Sequence, residues 1–500
     1  MQTRPSDQPS VNERAQRRRR LRAIVVALVM IASTLTAVSA TPAAAQGRQT
    51  IHVAPNGNDA NPGTLQRPKA SIQAASLALR NGGVISLRGG THYVANGGGW
   101  LLEGGSKGNR VIVTSRPGER AQLVSADGNF CVASDQSYIT VKRIDCTGSQ
   151  GMGSFGGSHV TFRNNRIHDL SAPFIQGIMI AGRGTRNFKV IGNDIRNVGQ
   201  TGIAVGEGEV GVTRNIVVRN NTVRRANLSF QDPSIGTGWG SGISVIGATN
   251  ARIVGNDVRN IFGEGINCPL SDRCRVRRNV VVDTYNALFY ADNTTRSLWE
   301  GNIGWTTGDP AHTRDYGTGP RVAAGVQFAN ETAWFPGPTN PTRGNIVRNN
   351  ILIDTDRGFS FGGYENGAAG MRNTKILNNT IVRANCGIDI FDGGTNRGNE
   401  VRNNIVTLRP GGFSLFCGGA RGTAFSHNLW AGGSPGAARG PGDVRRAPQF
   451  AGNGNRPGDF RLQPGSPGID AGTSTVRVRN DHAGQGRPAG GAHDIGAFEH

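Results

Sequence analysis

The chain has 500 residues, of which 75 are glycine and 36% are hydrophobic, and its formal net charge is +21. The length exceeds that of one ordinary domain, and the glycine content favours an elongated, turn-rich β protein over a helical one. A positive charge this large attracts polyanions such as uronic-acid polysaccharides, teichoic acids or nucleic acid, although an arginine-biased composition alone would produce it.

Residues 1–45 have the pattern of an export signal. Arginines at positions 17–20 and 22 precede the apolar segment 23–37, and the alanines at 43–45 provide a small-residue cleavage site. The apolar segment is shorter than the roughly 20 residues that span a bilayer, and no second one follows. We therefore predict a secreted, extracellular protein with no membrane association after the signal is cleaved.

Residues 71–80 (SIQAASLALR) are predicted to form a short amphipathic helix. Ser71 is the candidate N-cap, and the glycines at 82 and 83 would end the helix. Such a helix would cover the open sheet edge at the N-terminal end of a repeat protein.

The six cysteines of an exported chain meet an oxidising environment, in which they can form disulfides. Their spacing favours the pairs Cys131–Cys146, Cys268–Cys274 and Cys386–Cys417. Unpaired cysteines buried in the core are the alternative.

An asparagine recurs about every two dozen residues, with an apolar residue three places before it and another two places after it. Only Gly304 breaks this spacing. The asparagines are Asn165, Asn193, Asn221, Asn256, Asn279, Asn302, Asn350, Asn379, Asn404 and Asn428. The alternation is typical of short strands rather than helices. An amide at an inward bend can bond the backbone and the amide of the next coil, so these asparagines are predicted to be structural.

A second strand, which opens with a small residue, lies between neighbouring asparagines. Examples are GISVIG at Gly242, ALFYAD at Ala287 and GFSFGG at Gly358. Two or three short strands per coil predict parallel sheets stacked along an axis, in a β-helix of about ten coils over residues 46–433. Residues 434–500 are rich in Gly and Pro and are predicted to wrap the C-terminal end.

Stacking the second strands predicts one outward row of side chains on neighbouring coils. That row contains Asn267, Phe289, Gln327, Ser360 and Asp389. Further along the strands an acidic line contains Glu207, Asp292, Asn330 and Asp392, with Glu331 and Glu365 close by. Acids on adjacent coils, about 4.8 Å apart, could hold Ca²⁺ or form a hydrolase pair. The candidate calcium ligands are Asp292, Glu365 and Asp392, and solvated turn acids are the alternative.

Two insertions, at residues 224–241 and 305–343, interrupt the repeat, and long loops on a solenoid usually build its binding face. Candidate catalytic residues, which offer acid, base or carboxylate-clamp chemistry, are His312, Arg314, Asp315, Tyr316, Glu331 and Asp389. Candidate sugar-binding residues are Trp239, Asn267, Gln327, Trp334 and Tyr364. Loops that merely cover the sheet are the competing interpretation.

Arginines two places before ladder asparagines form a basic outward stripe. Its members are Arg163, Arg219, Arg277, Arg348 and Arg402. The stripe could track an anionic chain, but solvated arginines on an outer face are the more common case.

Residues 51–75 (IHVAPNGNDANPGTLQRPKASIQAA) resemble the opening signature of pectate-lyase-like β-helix proteins, including the family nine polysaccharide lyases. SPGIDAG at 466–472 and DIGAFE at 494–499 resemble a C-terminal signature of exported bacterial β-helix proteins. With the repeats, the resemblance implies an all-β, right-handed parallel β-helix. Family nine lyases carry a catalytic lysine and calcium-binding aspartates on a strand, but the nearest match here, residues 264–268 (EGINC), has no lysine.

The leading functional prediction is therefore a secreted protein that cleaves an acidic polysaccharide by β-elimination. Arg314 or His312 would neutralise the uronate or remove the proton, and Tyr316 would be the acid. The alternative enzyme is a glycoside hydrolase with carboxyl pairs among Glu331, Glu365, Asp389 and Asp392. The third candidate is a non-catalytic polysaccharide-binding solenoid. We predict a monomer that does not bind nucleic acid, with Ca²⁺ as the cofactor that its acids would hold.

Overall fold

The chain winds through successive coils that each contribute strands to three long parallel sheets, which we call faces 1, 2 and 3. The computed structural model describes residues 48–500 apart from 171, 207–211, 232–238, 316–318, 332–340, 363–369, 393–394 and 455. The predicted export signal lies outside the described residues. Residues Arg48–His500 form one compact unit, which includes the segment 434–500.

Face 1 is a parallel sheet of fourteen strands in chain order. Its strands are Thr50–Val53, Gly83–Leu87, Val111–Ser115, Ile139–Lys142, Thr161–Arg163, Lys189–Ile191, Val217–Arg219, Arg252–Val254, Arg275–Arg277, Leu298–Glu300, Ile346–Arg348, Lys375–Leu377, Asn399–Arg402 and Thr423–Ser426. The middle residue of the short strands points into the core, as Val218, Ile253 and Val276 do, because side chains alternate along a strand.

Face 2 follows the asparagine corner. Its strands are Gly90–Val94, Arg166–Leu170, Asp194–Val198, Thr222–Ala226, Asp257–Ile261, Val280–Thr284, Ile303–Trp305, Ile351–Ile353, Thr380–Ala384, Ile405–Leu408 and Leu429–Ala431. Two long strands, Ala121–Ser134 and Asp145–Phe155, contribute first to face 2 and then to face 3.

Face 3 completes each coil. Its remaining strands are Trp100–Leu101, Ile178–Ala181, Ile203–Val205, Ser241–Val245, Glu264–Asn267, Ala287–Asp292, Ala324–Ala329, Arg357–Gly362, Cys386–Ile390 and Ser414–Gly418. Many of these strands begin with a small residue because the neighbouring face leaves no room for a side chain there. A Cβ at Gly242 would lie 2.4 Å from Cγ1 of Val258 on face 2.

The ten predicted asparagines form a continuous buried ladder between faces 1 and 2. Asn279 is typical: its Nδ2 donates to Oδ1 of Asn302 at 3.0 Å and to the carbonyl of Ile253 at 3.0 Å. Its Oδ1 accepts from the backbone and side-chain amides of Asn256 at 3.0 and 2.9 Å. Buried polar groups must be paired in this way, so the prediction of a structural role is confirmed.

The number of coils is larger than predicted. Ten strands of face 1 precede a ladder asparagine, but four more strands lie N-terminal to them, beginning at Thr50–Val53. These first coils have no ladder asparagine, so the repeat search did not detect them. The predicted N-terminal helix is confirmed as Ile72–Leu77, with the Ser71 side chain accepting from the amide of Ala74.

The remaining described elements are short. They comprise the paired strands Thr213–Arg214 and Ala248–Thr249, the antiparallel hairpin Arg314–Asp315 with Pro320–Arg321, and 3₁₀ turns at Leu228–Gln231, Pro310–His312, Gly436–Ala438, Pro457–Phe460 and Ser474–Val476. All three predicted disulfides are present, linking Cys131–Cys146, Cys268–Cys274 and Cys386–Cys417. Within the described ranges, no helix is long and apolar enough to cross a membrane.

Candidate active site

A polar row runs along the outside of face 3. The strand register places Ser244, Asn267, Tyr290, Gln327, Ser360 and Asp389 side by side on successive coils. The sequence-based row was wrong at one position, since it contained Phe289, which is fully buried in the core. Leu288, not Ala287, is the register partner of Gly265, and a shift of one residue exchanges the two sides of a strand.

Glu264 is a buried carboxyl at the start of its face 3 strand. Its Oε1 accepts from the indole Nε1–H of Trp239 at 2.7 Å, and its Oε2 accepts from Nδ2 of Asn267 at 2.7 Å. Burial raises the pKa of Glu264, and the negative charge of Glu331 acts in the same direction. The Cys268–Cys274 disulfide follows Asn267 directly and anchors the end of this strand.

Asp292 and Glu331 form the second part of the cluster. Oδ1 of Asp292 accepts from the backbone amide of Glu331 at 2.8 Å and from Nδ2 of Asn293 at 2.8 Å. Its Oδ2 is buried and has no hydrogen-bond partner within the described part of the chain. The hydroxyl of Tyr290 donates to Oε1 of Glu331 at 2.7 Å.

This buried, acidic environment changes the pKa values of Asp292 and Tyr290. Burial raises the pKa of Asp292 to about 7, and the charges of Glu331 and Glu264 contribute in the same direction. Burial and the neighbouring carboxylates raise the pKa of Tyr290 well above its ordinary value, so its hydroxyl stays protonated. Below pH about 7 the Asp292 carboxyl is therefore mostly protonated, and it lies beside the Glu331 carboxyl, so the pair can offer a proton donor and a base.

An aromatic wall borders the cluster and comes from the first insertion. Phe230 packs edge-on against Trp239 and Tyr285, with ring centroids 5.5 and 5.0 Å apart. The guanidinium of Arg314 lies 5.2 Å from the centre of the Trp239 ring and donates to Oδ1 of Asn286. The Trp239 side chain remains 42% exposed, so the wall offers a surface on which a sugar ring could stack.

The structure brings together Trp239, Asn267, Asp292, Arg314 and Glu331 of the predicted residues. Gln327 belongs to the same outward row, next to Tyr290.

His312 and Asp315 lie differently. The His312 ring is buried, stacks on Phe262 at 4.6 Å and approaches Oδ2 of Asp309 with its Nδ1 at 3.1 Å. The Asp315 carboxyl accepts from the amide of Gly319 across its own hairpin. Their catalytic roles therefore stay predictions without a described contact to the carboxyl cluster.

The two acids near the C-terminal coils are also apart from the cluster. Asp389 lies three coils beyond Tyr290 and pairs with Nε of Arg357 at 2.6 Å. Burial raises the pKa of Asp389 despite that pairing. Asp392 is exposed, and its roles in a hydrolase pair and in metal binding stay predictions.

Four predicted site residues, Tyr316, Trp334, Tyr364 and Glu365, lie outside the described residues, as does Glu207. Among the side chains that are described, no group of three or more His, Cys, Asp or Glu residues is arranged to hold a metal ion. Calcium binding therefore stays a prediction.

Sequence reasoning missed Tyr290 as a site residue and did not assign a role to Glu264. The sequence-based alignment of the strand at Ala287 was off by one residue. It therefore assigned Phe289 to the outer side of the strand and Tyr290 to the core. In the sequence, Glu264 stands out only as the first residue of segment 264–268, which lacks the lysine of family nine lyases. Its pairing with Trp239, which is 25 residues earlier, depends on how the first insertion folds back.

Comparison with known proteins supports the fold. Residues 123–281 match a family model described as right handed beta helix region. No curated protein matches the sequence. Among solved structures, the PL6 family alginate lyase AlyGC is similar over 84% of this chain and 56% of that chain, with 16% identity and a TM-score of 0.54.

Two further solved structures are similar. The pectate lyase Pel9A is 18% identical over 91% of this chain and 96% of that chain, with a TM-score of 0.40. The catalytic unit of a GH87 alpha-1,3-glucanase from Streptomyces thermodiastaticus is 15% identical over 74% of this chain and 61% of that chain, with a TM-score of 0.46. At such identities the likeness concerns the fold alone. The protein is a right-handed parallel β-helix, and the predicted fold and its handedness are confirmed.

Proposed function

We propose that this protein is a secreted glycoside hydrolase that cleaves a polysaccharide at the carboxyl cluster on face 3. The observation that carries the proposal is the buried Asp292 carboxyl, whose pKa is raised to about 7 beside Glu331. Hydrolysis of a glycosidic bond requires one carboxyl group that donates a proton and a second that acts as base or nucleophile. A carboxyl group with its pKa near neutrality is suited to be the donor.

In the proposed reaction Asp292 donates its proton to the glycosidic oxygen while the bond from that oxygen to the anomeric carbon breaks. Glu331 accepts a proton from the water that attacks the anomeric carbon, so the two products are a reducing end and a hydroxyl end. Tyr290 holds the Glu331 carboxyl by its hydrogen bond. Glu264 fixes the indole of Trp239, on which a sugar ring would stack.

The cluster is less suited to β-elimination, the reaction that leads among the sequence-based predictions. Elimination requires neutralisation of the substrate carboxylate, but Glu331, which the proposed reaction uses as a carboxylate, would repel it. Tyr290 cannot serve as the base near neutral pH, because its raised pKa keeps the hydroxyl protonated. Arg314 on the aromatic wall is the observation that favours a lyase as the second candidate, since a guanidinium can clamp a uronate.

The test is an incubation of the protein without residues 1–45 with neutral and acidic polysaccharides, with and without Ca²⁺. New reducing ends without unsaturated uronates support the hydrolase, whereas ultraviolet absorbance from unsaturated uronates supports the lyase. Asp292→Asn and Glu331→Gln should each lower kcat by about 100-fold or more. Glu103→Gln, a change at an exposed glutamate outside the carboxyl cluster, is the matched control. Full activity in both cluster variants would disprove the assignment, and binding without cleavage would leave the non-catalytic solenoid.

A further inference from the structure

A second, basic groove lies between face 1 and the C-terminal segment. It encloses about 560 Å³, and five arginines line it. They are Arg277, Arg278, Arg348, Arg477 and Arg479. The first three come from face 1 and its corner, and the last two come from residues 477–484, which pass beside that corner. The amide of Asn349 donates to the carbonyl of Asn480 at 2.7 Å and holds the two sides together.

The groove carries an excess of positive charge. Glu300 lies in register between Arg277 and Arg348 and pairs with each at 2.6 Å. Arg278, Arg477 and Arg479, by contrast, form no ion pair with any residue that the structure describes.

The other titratable groups of the groove cancel only part of this charge. Asp481 adds a second acidic side chain, whose Oδ1 accepts from the amide of Gln485 and whose Oδ2 accepts from that of Glu499, so five arginines face two acids. Burial lowers the pKa of His482, and the positive charge of Arg278 acts in the same direction, so this imidazole is neutral near pH 7. Three guanidinium groups are thus available to a ligand.

We infer that this groove binds a segment of an acidic polysaccharide through the carboxylate groups of that polysaccharide, at a site separate from the carboxyl cluster on face 3. Guanidinium groups bind carboxylates in a bidentate manner, and the paired Glu300 carboxylate can accept hydrogen bonds from sugar hydroxyls. The described lining contains no Phe, Tyr or Trp on which nucleic acid bases could stack. The chemistry therefore favours a uronate chain over a nucleic acid.

The two sites differ in the charge that they accept. On face 3 the Glu331 carboxylate would repel an acidic substrate, whereas the groove beside face 1 lies on another side of the coil and attracts one. Face 1 would hold an acidic chain, or an acidic region of a mixed one, while the carboxyl cluster on face 3 engages a neutral linkage. The inference does not depend on the proposed reaction, because binding can be measured without cleavage.

The experiment measures binding of a polygalacturonate fragment to the protein without residues 1–45 by calorimetry, and the size of the fragment is checked afterwards so that binding is measured without cleavage. The double variant Arg477→Glu/Arg479→Glu should weaken binding by about tenfold or more. Binding to the protein without these two changes should weaken as salt is raised, because exposed charges are screened. A neutral dextran should not bind in the groove.

The matched control is Arg445→Glu/Arg446→Glu, which reverses two exposed arginines elsewhere in the C-terminal segment. Equal losses in both double variants would mean that net charge alone attracts the polymer, and would overturn the groove. Stronger binding of single-stranded DNA than of polygalacturonate, lost in the same variant, would overturn the ligand class. Thermal unfolding of each variant checks that the fold is retained.

Discussion

At the scale of single residues, Asp292 carries a carboxyl group whose burial costs folding free energy. Its carboxyl is buried among other acids, and its Oδ2 has no hydrogen-bond partner within the described ranges. Burial of a carboxylate favours the protonated form, so the folded protein keeps a proton that the unfolded chain releases at lower pH. Shifted pKa values of this kind cluster at functional sites, which is why Asp292 is the residue to test first.

Asp292 should therefore make stability depend on pH with a defined sign. Between pH about 4 and about 7 the folded state holds one more proton at this site than the unfolded state, so its contribution to stability falls as pH rises. Asp292→Asn removes this dependence. The difference in the free energy of unfolding, variant minus wild type, should increase by up to about 1.4 kcal/mol per pH unit and level off above pH about 7.

Urea unfolding at half-unit pH steps measures this difference. Glu103→Gln, at an exposed position, should show no such trend. A pH-independent difference for Asp292→Asn would mean that Asp292 is ionised throughout this range, and it could not then be the proton donor.

The corner between faces 1 and 2 depends on each asparagine of the ladder. Asn279→Ala would remove two donated hydrogen bonds and the acceptor of the Asn256 backbone amide, and it would leave the Asn256 side-chain amide with only the Val218 carbonyl. We expect a loss of about 3–5 kcal/mol in the free energy of unfolding, measured with urea. Asn250→Ala, at an exposed turn residue with φ 61°, should cost only about 1 kcal/mol. Similar losses for the two variants would contradict the ladder as a main source of stability.

The ladder also explains how far the sequence could predict the elements. Its spacing located the strands of faces 1 and 2 from Asn165 onward, because a buried amide allows little variation. The coil at Ala287 was misaligned because Leu288 occupies the position that Gly265 and Gly325 hold on the neighbouring coils. Gly304 provides the compensating space, since a Cβ there would lie 2.8 Å from Cδ1 of Leu288. A large residue on one strand that is accommodated by a glycine on another coil cannot be recognised from the sequence of a single repeat.

The C-terminal segment is held by a buried ion pair as well as by apolar contacts with face 2. Arg487 pairs with Glu499, and both side chains are almost fully buried. Breaking a buried pair leaves an uncompensated charge, so Glu499→Gln should cost about 3–5 kcal/mol. Limited proteolysis should then cleave within residues 434–500 first. Glu400→Gln, which breaks the more exposed pair with Lys375, should cost at most about 1 kcal/mol. Unchanged protease resistance in Glu499→Gln would show that apolar packing alone holds the segment.

A solenoid is stabilised mainly by contacts between neighbouring coils, so a change at one end should act locally. The last ladder residue, Asn428, has no asparagine beyond it in the ladder. Instead Asp443 accepts from the amide of Asn428 at 2.9 Å and from Nε1 of Trp430 at 2.9 Å. The segment around Asp443 thus closes the ladder and pairs through Val444 with Leu429 at the end of face 2.

Asp443→Ala should therefore loosen only the C-terminal coils. Hydrogen exchange should accelerate most at residues 423–431 and less with each coil towards the N-terminus, because the lost acceptors belong to the last coil. Asn279→Ala in the middle of the ladder is the comparison, and its effect should spread in both directions. Asp443→Asn, which keeps one acceptor oxygen, should have a smaller effect than Asp443→Ala. Uniform acceleration along the whole chain in Asp443→Ala would show that the coils unfold as one cooperative unit rather than from their ends.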